Sequence, residues 1–182
     1  SRCQGAMFRE GMSAMENNAN PPTPSSGSGD SPSPGDRIRI VLVRPQGARN
    51  IGSVARAMAN FGLSDLALVS PLADPLHFDA RAMARSAQDI LECARVVDNL
   101  VEAVEGCLWV CGATARGGER RRPEFTSRDV GPQILRNRPA ALVFGPEDTG
   151  LPAEDLDRCH AILTIPTSAK LQSLNLAQAV GV

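Results

Sequence analysis

The chain has 182 residues, 42% of them hydrophobic, with 20 acidic side chains against 19 lysines and arginines and a formal net charge of −1. That length is enough for one domain of ordinary size with a real core, and the balance carries no global basic bias of the kind that announces nucleic acid. No apolar run approaches membrane-spanning length and the N-terminus lacks a signal-peptide apolar region, so a soluble cytoplasmic protein is expected.

Lys170 is the only lysine, and every other basic residue is an arginine. That bias suits phosphate and carboxylate recognition, and GC-rich coding would produce it equally well. Five cysteines (Cys3, Cys93, Cys107, Cys111, Cys159) and two histidines (His77, His160) form no CxxC pair and no ligand-spaced cluster. They read as small reduced core residues, and no metal is expected.

Residues 1–36 are dense in Pro, Ser, Gly and Asn and nearly free of aliphatics beyond position 16. Such a stretch cannot bury enough surface to offset its ordering entropy and reads as a disordered extension. The foldable domain is 37–182. It opens with Ile38–Val43, an apolar strand broken only by Arg39, followed by a turn over Pro45–Asn50 and a helix over Gly52–Phe61. Val54, Ala55, Met58 and Phe61 share one face of that helix, and Gly62 fits its C′ position. A strand at Leu66–Val69 completes a unit whose spacing requires a parallel crossover.

The GARNIGS turn lacks both the GK[ST] ending of a P-loop and the GxGxxG of a dinucleotide fold. Its Asn50, Gly52 and Ser53 could present backbone N–H groups to an anion, or the turn could be a simple N-cap. Helices are expected at Asp79–Ser86 and Asp98–Val104, with a short strand at Ala94–Val97 between them. Cys107–Cys111 reads as a buried strand with both cysteines on one face, leaving through Gly112, Ala113, Thr114 and Ala115. The next loop holds the densest positive run in the chain, Arg116 with Arg120, Arg121 and Arg122. A loop contacting RNA phosphates and a solvated charged loop both fit that run. A helix over Asp129–Arg136 follows.

Two apolar runs, Ala140–Phe144 and Ala161–Ile165, have the length and branching of buried strands. Each empties into a loop of small and polar residues, GPEDTG after the first and 166–172 after the second. In an open parallel sheet both loops lie at the ligand-binding edge. Ser173 stands where a helix N-cap belongs, with Leu174, Ala177 and Val180 recurring behind it. Glu154, Asp155 and Asp157 read as a solvated short helix. The alternation of apolar runs and helical patterns predicts one α/β domain with a mostly parallel sheet of about six strands.

FGPEDTGL, IPTSAKLQSLNLAQAV and the upstream VLVRPQGARNIGSVARAMANFGL resemble, in order, the second, third and first motifs of the SpoU/TrmH family of RNA ribose methyltransferases. The nearest branch is the one that methylates nucleotide 32 of the tRNA anticodon loop. The resemblance spans Arg37–Val182 and implies the SPOUT-type fold with a C-terminal trefoil knot. It also implies a homodimer whose active site draws on both subunits, and methyl transfer from S-adenosylmethionine to a ribose 2′-oxygen of RNA. The chain stops at Val182, about two and a half turns into its last expected helix. Relatives continue, which implies a C-terminally truncated domain with an incomplete knot.

By the same resemblance, Ala113, Thr114, Ala115, Gly145, Ile165, Gln172, Ser173 and Leu174 hold the cofactor, and Asn50, Arg56, Glu147, Ser173 and Asn175 form the reactive cluster. Arg49 and, from the basic loop that opens beside the presumed site, Arg116, Arg120, Arg121 and Arg122 are the residues expected to contact the RNA. Arg56 is the family's candidate for activating the 2′-hydroxyl. An arginine pKa above about 12 makes a poor base, so orienting the ribose and phosphate suits it better. Glu147 is expected to hold backbone donors or Arg56. Pro146 departs from the polar or basic residue of close relatives. The rival from another class is a non-catalytic RNA- or nucleotide-binding module with the same fold.

Overall fold

The run Ile38–Val43 is apolar at all positions but Arg39, which suits a strand covered on both faces. In the computed structural model it forms β1 (Ile38–Val43), and its side chains alternate between two cores. The structure describes residues 38–115, 122–168, 170 and 173–182, all within the unit Pro32–Val182. The disorder expected over residues 1–36 concerns positions outside the described residues.

After β1 come α1 (Ala48–Asn60), β2 (Asp65–Val69), α2 (Phe78–Ala84), a 3-10 turn (Arg85–Ala87), α3 (Gln88–Glu92), β3 (Arg95–Val97) and α4 (Leu100–Ala103). The second half adds β4 (Trp109–Ala113), β5 (Glu124–Thr126), α5 (Ser127–Arg136), β6 (Ala140–Phe144), α6 (Ala153–Leu156), β7 (Ala161–Thr164) and α7 (Leu176–Gly181). Among the described residues the strands form one seven-stranded sheet in the order β3-β2-β1-β6-β4-β7-β5. Every neighbouring pair is parallel. β6 slots between β1 and β4, so the carboxyl ends of β1, β6, β4 and β7 stand side by side.

Helices cover both faces. Ile40 and Leu42 pack with Ile51, Val54, Ala55 and Met58 of α1, with α2 and α3, and with Leu176 of α7. Val41 and Val43 face the other way, onto Leu100 and Ala103 of α4, onto Leu156 of α6 and onto Leu151 just before it. Val130 and Ile134 of α5 cover Cys111, Ala161 and Leu163. Met58 is fully buried, and truncating such a side chain to alanine typically costs about 2–5 kcal/mol. Gly52 is what lets α2 approach α1, because a Cβ there would overlap the Ala80 carbonyl.

Several expectations need correction. Among the described residues the sheet has a further strand, Glu124–Thr126, which pairs with β7 at the edge, and three residues are too few to show a periodicity. α1 begins at Ala48, so the Gly52 and Ser53 amides lie inside the helix and offer nothing to an anion. Phe61 is 63% exposed instead of facing the core, since the helix has already ended at its C-cap. Gly62 does take the expected left-handed conformation, at φ 69°. The helix expected over Asp79–Ser86 is interrupted at Arg85, which has φ 58°.

β4 starts at Trp109, two residues after Cys107. Cys111 therefore packs in the core under α5, while Cys107 packs toward the opposite face. Cys107, Cys111 and Cys159 are free thiols. Burial pushes the thiols of Cys111 and Cys159 up to about 12. Cys93 is exposed, so the reading as core residues does not extend to it.

Candidate active site

The N-terminus of α1 has an unusual deficit. Its N-cap is Gly47, which has no side chain to satisfy the orphan amides, and no acidic residue lies in the first turn. A helix start is nevertheless where an anion is favoured, by the exposed N–H groups and the helix dipole. The anion comes from 100 residues away. The Glu147 carboxylate accepts from the Gln46 backbone N–H at 3.0 Å and from that of Gly47 at 3.3 Å. It also accepts from the Asn50 side-chain amide at 2.7 Å. Burial alone would raise the Glu147 pKa, but the bonds from Asn50, Gln46 and Gly47 together outweigh it and hold the carboxyl below the ordinary glutamate value.

Asn50 passes the connection on. Its side-chain oxygen accepts from the Asn175 amide nitrogen at 3.2 Å. Asn175 in turn caps α7, accepting from Ala177 N–H at 3.0 Å, and Gln178 closes the capping box. One hydrogen-bonded line thus runs from the loop after β6, through the first turn of α1, to the start of α7. It joins all three motifs.

Ser173 is therefore not the N-cap. The helix starts two residues later because Asn175 serves both as cap and as the partner of Asn50, and Ser173 and Leu174 are left in the preceding loop.

That loop forms one wall of a cavity of about 600 Å³ at the carboxyl ends of β4, β6 and β7. Ala113, Thr114, Ala115, Gly145, Ile165, Ser173 and Leu174 all line it, as do Glu147 and Asp148. Gln172 lies outside the described residues. Gly145 is required by close packing, since a Cβ there would overlap the backbone of Gly150 and Leu151. The volume falls in the range of small-molecule sites.

Arg56 stands apart from this line. It is exposed on α1, on the side away from Val54, Ala55 and Met58, and makes no hydrogen bond or ion pair with any described residue. Glu147 therefore holds the backbone donors, as one of its two expected roles has it, and does not hold Arg56. Arg49 lies two turns back on the same exposed stripe, and its carbonyl accepts from the Ser53 hydroxyl at 2.8 Å. Of the basic loop, Arg116, Arg120 and Arg121 lie outside the described residues, and Arg122 donates to the Asp157 carbonyl.

Sequence reasoning missed Gln46 and Gly47, whose contribution is made by backbone amides and leaves no side-chain signature. Arg44 leaves β1 at φ 47° and lines the cavity. The Gln46 side chain holds the exposed Asp148 carboxyl below its usual range. Among the described residues, no group of three or more His, Cys, Asp or Glu could hold a metal ion, and no helix is long and apolar enough to cross a membrane.

Residues 37–182 match the model of the SpoU rRNA methylase family. The tRNA (cytidine/uridine/adenosine-2′-O-)-methyltransferase TrmJ of Pseudomonas aeruginosa is 48% identical over 151 residues, covering 81% of this chain and 58% of that protein. A probable methylase family protein from Haemophilus influenzae superposes with a TM-score of 0.76 at 39% identity, covering 80% of this chain and 62% of that one. The crystal structure of TrmJ from Z. mobilis gives 0.74 at 39% identity, over 79% and 65% of the two chains. The chain spans about 60% of the length of the curated relatives it matches.

Proposed function

The chain belongs to the SpoU rRNA methylase family, and from that premise we propose that it is an S-adenosylmethionine-dependent ribose 2′-O-methyltransferase of tRNA, acting in the cytoplasm on nucleotide 32 of the anticodon loop. The catalytic domain is 37–182, with 1–36 as an extension ahead of it. The observation that carries the proposal is the Glu147–Asn50–Asn175 line, which meets the cavity wall at Glu147, because it ties together motif residues of three distant segments. The tRNA substrate is supported by the TrmJ relatives, whose names specify tRNA 2′-O-methylation.

The cavity suits the cofactor. Its volume is that of a nucleoside-sized ligand site, and its walls are strand-exit loops that offer backbone donors and acceptors beside apolar Leu151, Ile165 and Leu174. S-adenosylmethionine held there supplies an already activated methyl group. The remaining work falls to side chains that position the acceptor ribose. Arg56, with no partner among the described residues, orients the ribose and its neighbouring phosphate. Asn50 and Asn175 keep their amides fixed through Glu147 and the α7 cap, and Ser173 adds a hydroxyl at the cavity wall. Glu147 is occupied by three donors and acidic, so it serves as an anchor and not as the proton acceptor.

A homodimer belongs to the same proposal, with the active site shared between subunits. It is supported by the exposed Phe61 ring, which lies beside Gly181 where α1 meets α7. The trefoil knot is proposed on family membership.

Calorimetry with S-adenosylmethionine, followed by transfer of labelled methyl to tRNA and mapping of the modified ribose, tests the proposal. Expected are cofactor binding and a 2′-O-methyl at nucleotide 32. Arg56→Ala should abolish transfer with cofactor affinity within a few-fold. Cofactor binding with no methylation of any RNA would instead identify a non-catalytic module.

A further inference from the structure

The loop after β2 and the first residue of α2 display three large apolar side chains within seven residues. Leu72 is 70% exposed, Leu76 43% and Phe78 77%. None belongs to a core cluster of the described residues, so the packing of those residues does not explain them. The segment is also firmly held. Asp74 accepts from the backbone N–H of Leu76 at 2.8 Å through its carboxylate and of His77 at 3.2 Å through its carbonyl. Arg81 donates back to the Leu76 carbonyl at 3.2 Å.

Its position ties it to the site. Leu72 N–H donates to the Pro45 carbonyl at 3.0 Å, one residue before the Gln46 amide that Glu147 holds. At the other end, α2 packs on α1 where Gly52 meets Ala80. The exposed guanidiniums of Arg44, Arg49, Arg56 and Arg85 belong to the same loop-and-helix layer and make no hydrogen bond or ion pair with any described residue.

A rigid apolar surface on a layer that also carries these cations fits a ligand with flat apolar faces on an anionic backbone. That is the chemistry of single-stranded RNA, whose unstacked bases settle on aromatic side chains while arginines take the phosphates. We propose that the loop 72–78 is a base-stacking platform for the unpaired nucleotides flanking the target ribose, with Phe78 as its anchor. This rests on the RNA methyltransferase assignment above. A second copy of the chain is the weaker occupant. Three side chains offer a few hundred Å², short of the roughly 800 Å² per partner that a stable interface buries.

The test is tRNA binding by the full chain carrying Phe78→Ala, with Phe78→Trp alongside. Phe78→Ala should weaken tRNA binding by about five- to a hundredfold, with cofactor affinity and oligomeric state unchanged. Phe78→Trp should bind within about threefold of the parent chain. Its added fluorescence, over that of Trp109 (the one native tryptophan), should be quenched by a single-stranded RNA oligonucleotide. Unchanged tRNA affinity in Phe78→Ala, while the parent chain binds, would overturn the platform and leave the methyltransferase assignment standing. Loss of a dimer in Phe78→Ala would assign the loop to an interface between copies instead. A parent chain that binds no RNA would remove the functional assignment, and the platform with it.

Discussion

Replacing Glu147 with glutamine isolates what the carboxylate does, because the shape is kept and only charge and one acceptor are lost. In the native site one carboxylate oxygen accepts from Gly47 N–H and the Asn50 amide, and the other accepts from Gln46 N–H. A glutamine can keep its oxygen on the first pair, but its NH₂ then faces the Gln46 N–H, donor against donor. One bond disappears and two fall from charge-assisted to neutral, a gross loss of about 3–5 kcal/mol. Glu147 is only half-buried and water can replace part of this, so about 1–2 kcal/mol should remain.

For a domain of this size that is a fall in melting temperature of roughly 3–8 °C at pH 7. The methyl-transfer rate should fall at least about tenfold as Asn50 loses its fixed orientation. The sign of the pH dependence follows from the lowered Glu147 pKa. The charged form is stabilised by folding, so its contribution is present above the ordinary glutamate range and is lost as pH drops through the lower folded value. The gap between parent and Glu147→Gln should therefore close in acid, below about pH 4. Thermal melts from pH 3 to 8 and single-turnover methyl transfer from pH 5 to 9 would measure both effects. A variant that melts with the parent at pH 7 would refute the anchoring role. So would a parent rate profile with an acid limb near pH 6–7 that disappears in the variant, because Glu147 would then be the proton acceptor.

Gly145→Ala should destabilise the fold by more than the 1–3 kcal/mol usual for overpacking, because the new Cβ meets the backbone of Gly150 and Leu151 instead of a movable side chain. Urea unfolding and cofactor calorimetry would show it as a lower midpoint and lost binding, and an unaffected midpoint would refute it. Replacing Arg120, Arg121 and Arg122 together with alanine should flatten the salt dependence of tRNA binding by about 0.9 in log–log slope for each phosphate no longer neutralised. An unchanged slope would remove their assignment to phosphate contact. Cys111 and Cys159, with thiols pushed up to about 12, should resist iodoacetamide at pH 8 in the native protein. Mass spectrometry that found them alkylated as fast as free cysteine would contradict their burial.

Elements whose identity depends on their own residues are legible in the chain alone. Ile38–Val43 and Ala140–Phe144 appear in the structure with the bounds expected. A continuous apolar run between turn signals has few alternatives to a buried parallel strand. The cavity loops are legible for a related reason, since strand exits in a parallel sheet mark its ligand edge. The start of α1 is not, because nothing local to Gly47 caps the helix and its anion comes from Glu147, 100 residues on. Ser173 passes for a cap because serine suits that position locally, whereas Asn175 takes it through a bond to Asn50, 125 residues away. The sequence by itself determined the main buried strands and the small-residue loops at their exits, because those depend on apolar runs and turn propensity within a dozen residues, while the motif residues were singled out by family resemblance. Only the tertiary structure decided that Glu147, Asn50 and Asn175 form one hydrogen-bonded line while Arg56 finds no partner among the described residues. Directional bonds between distant segments exist only once the sheet order has placed β6 beside β1.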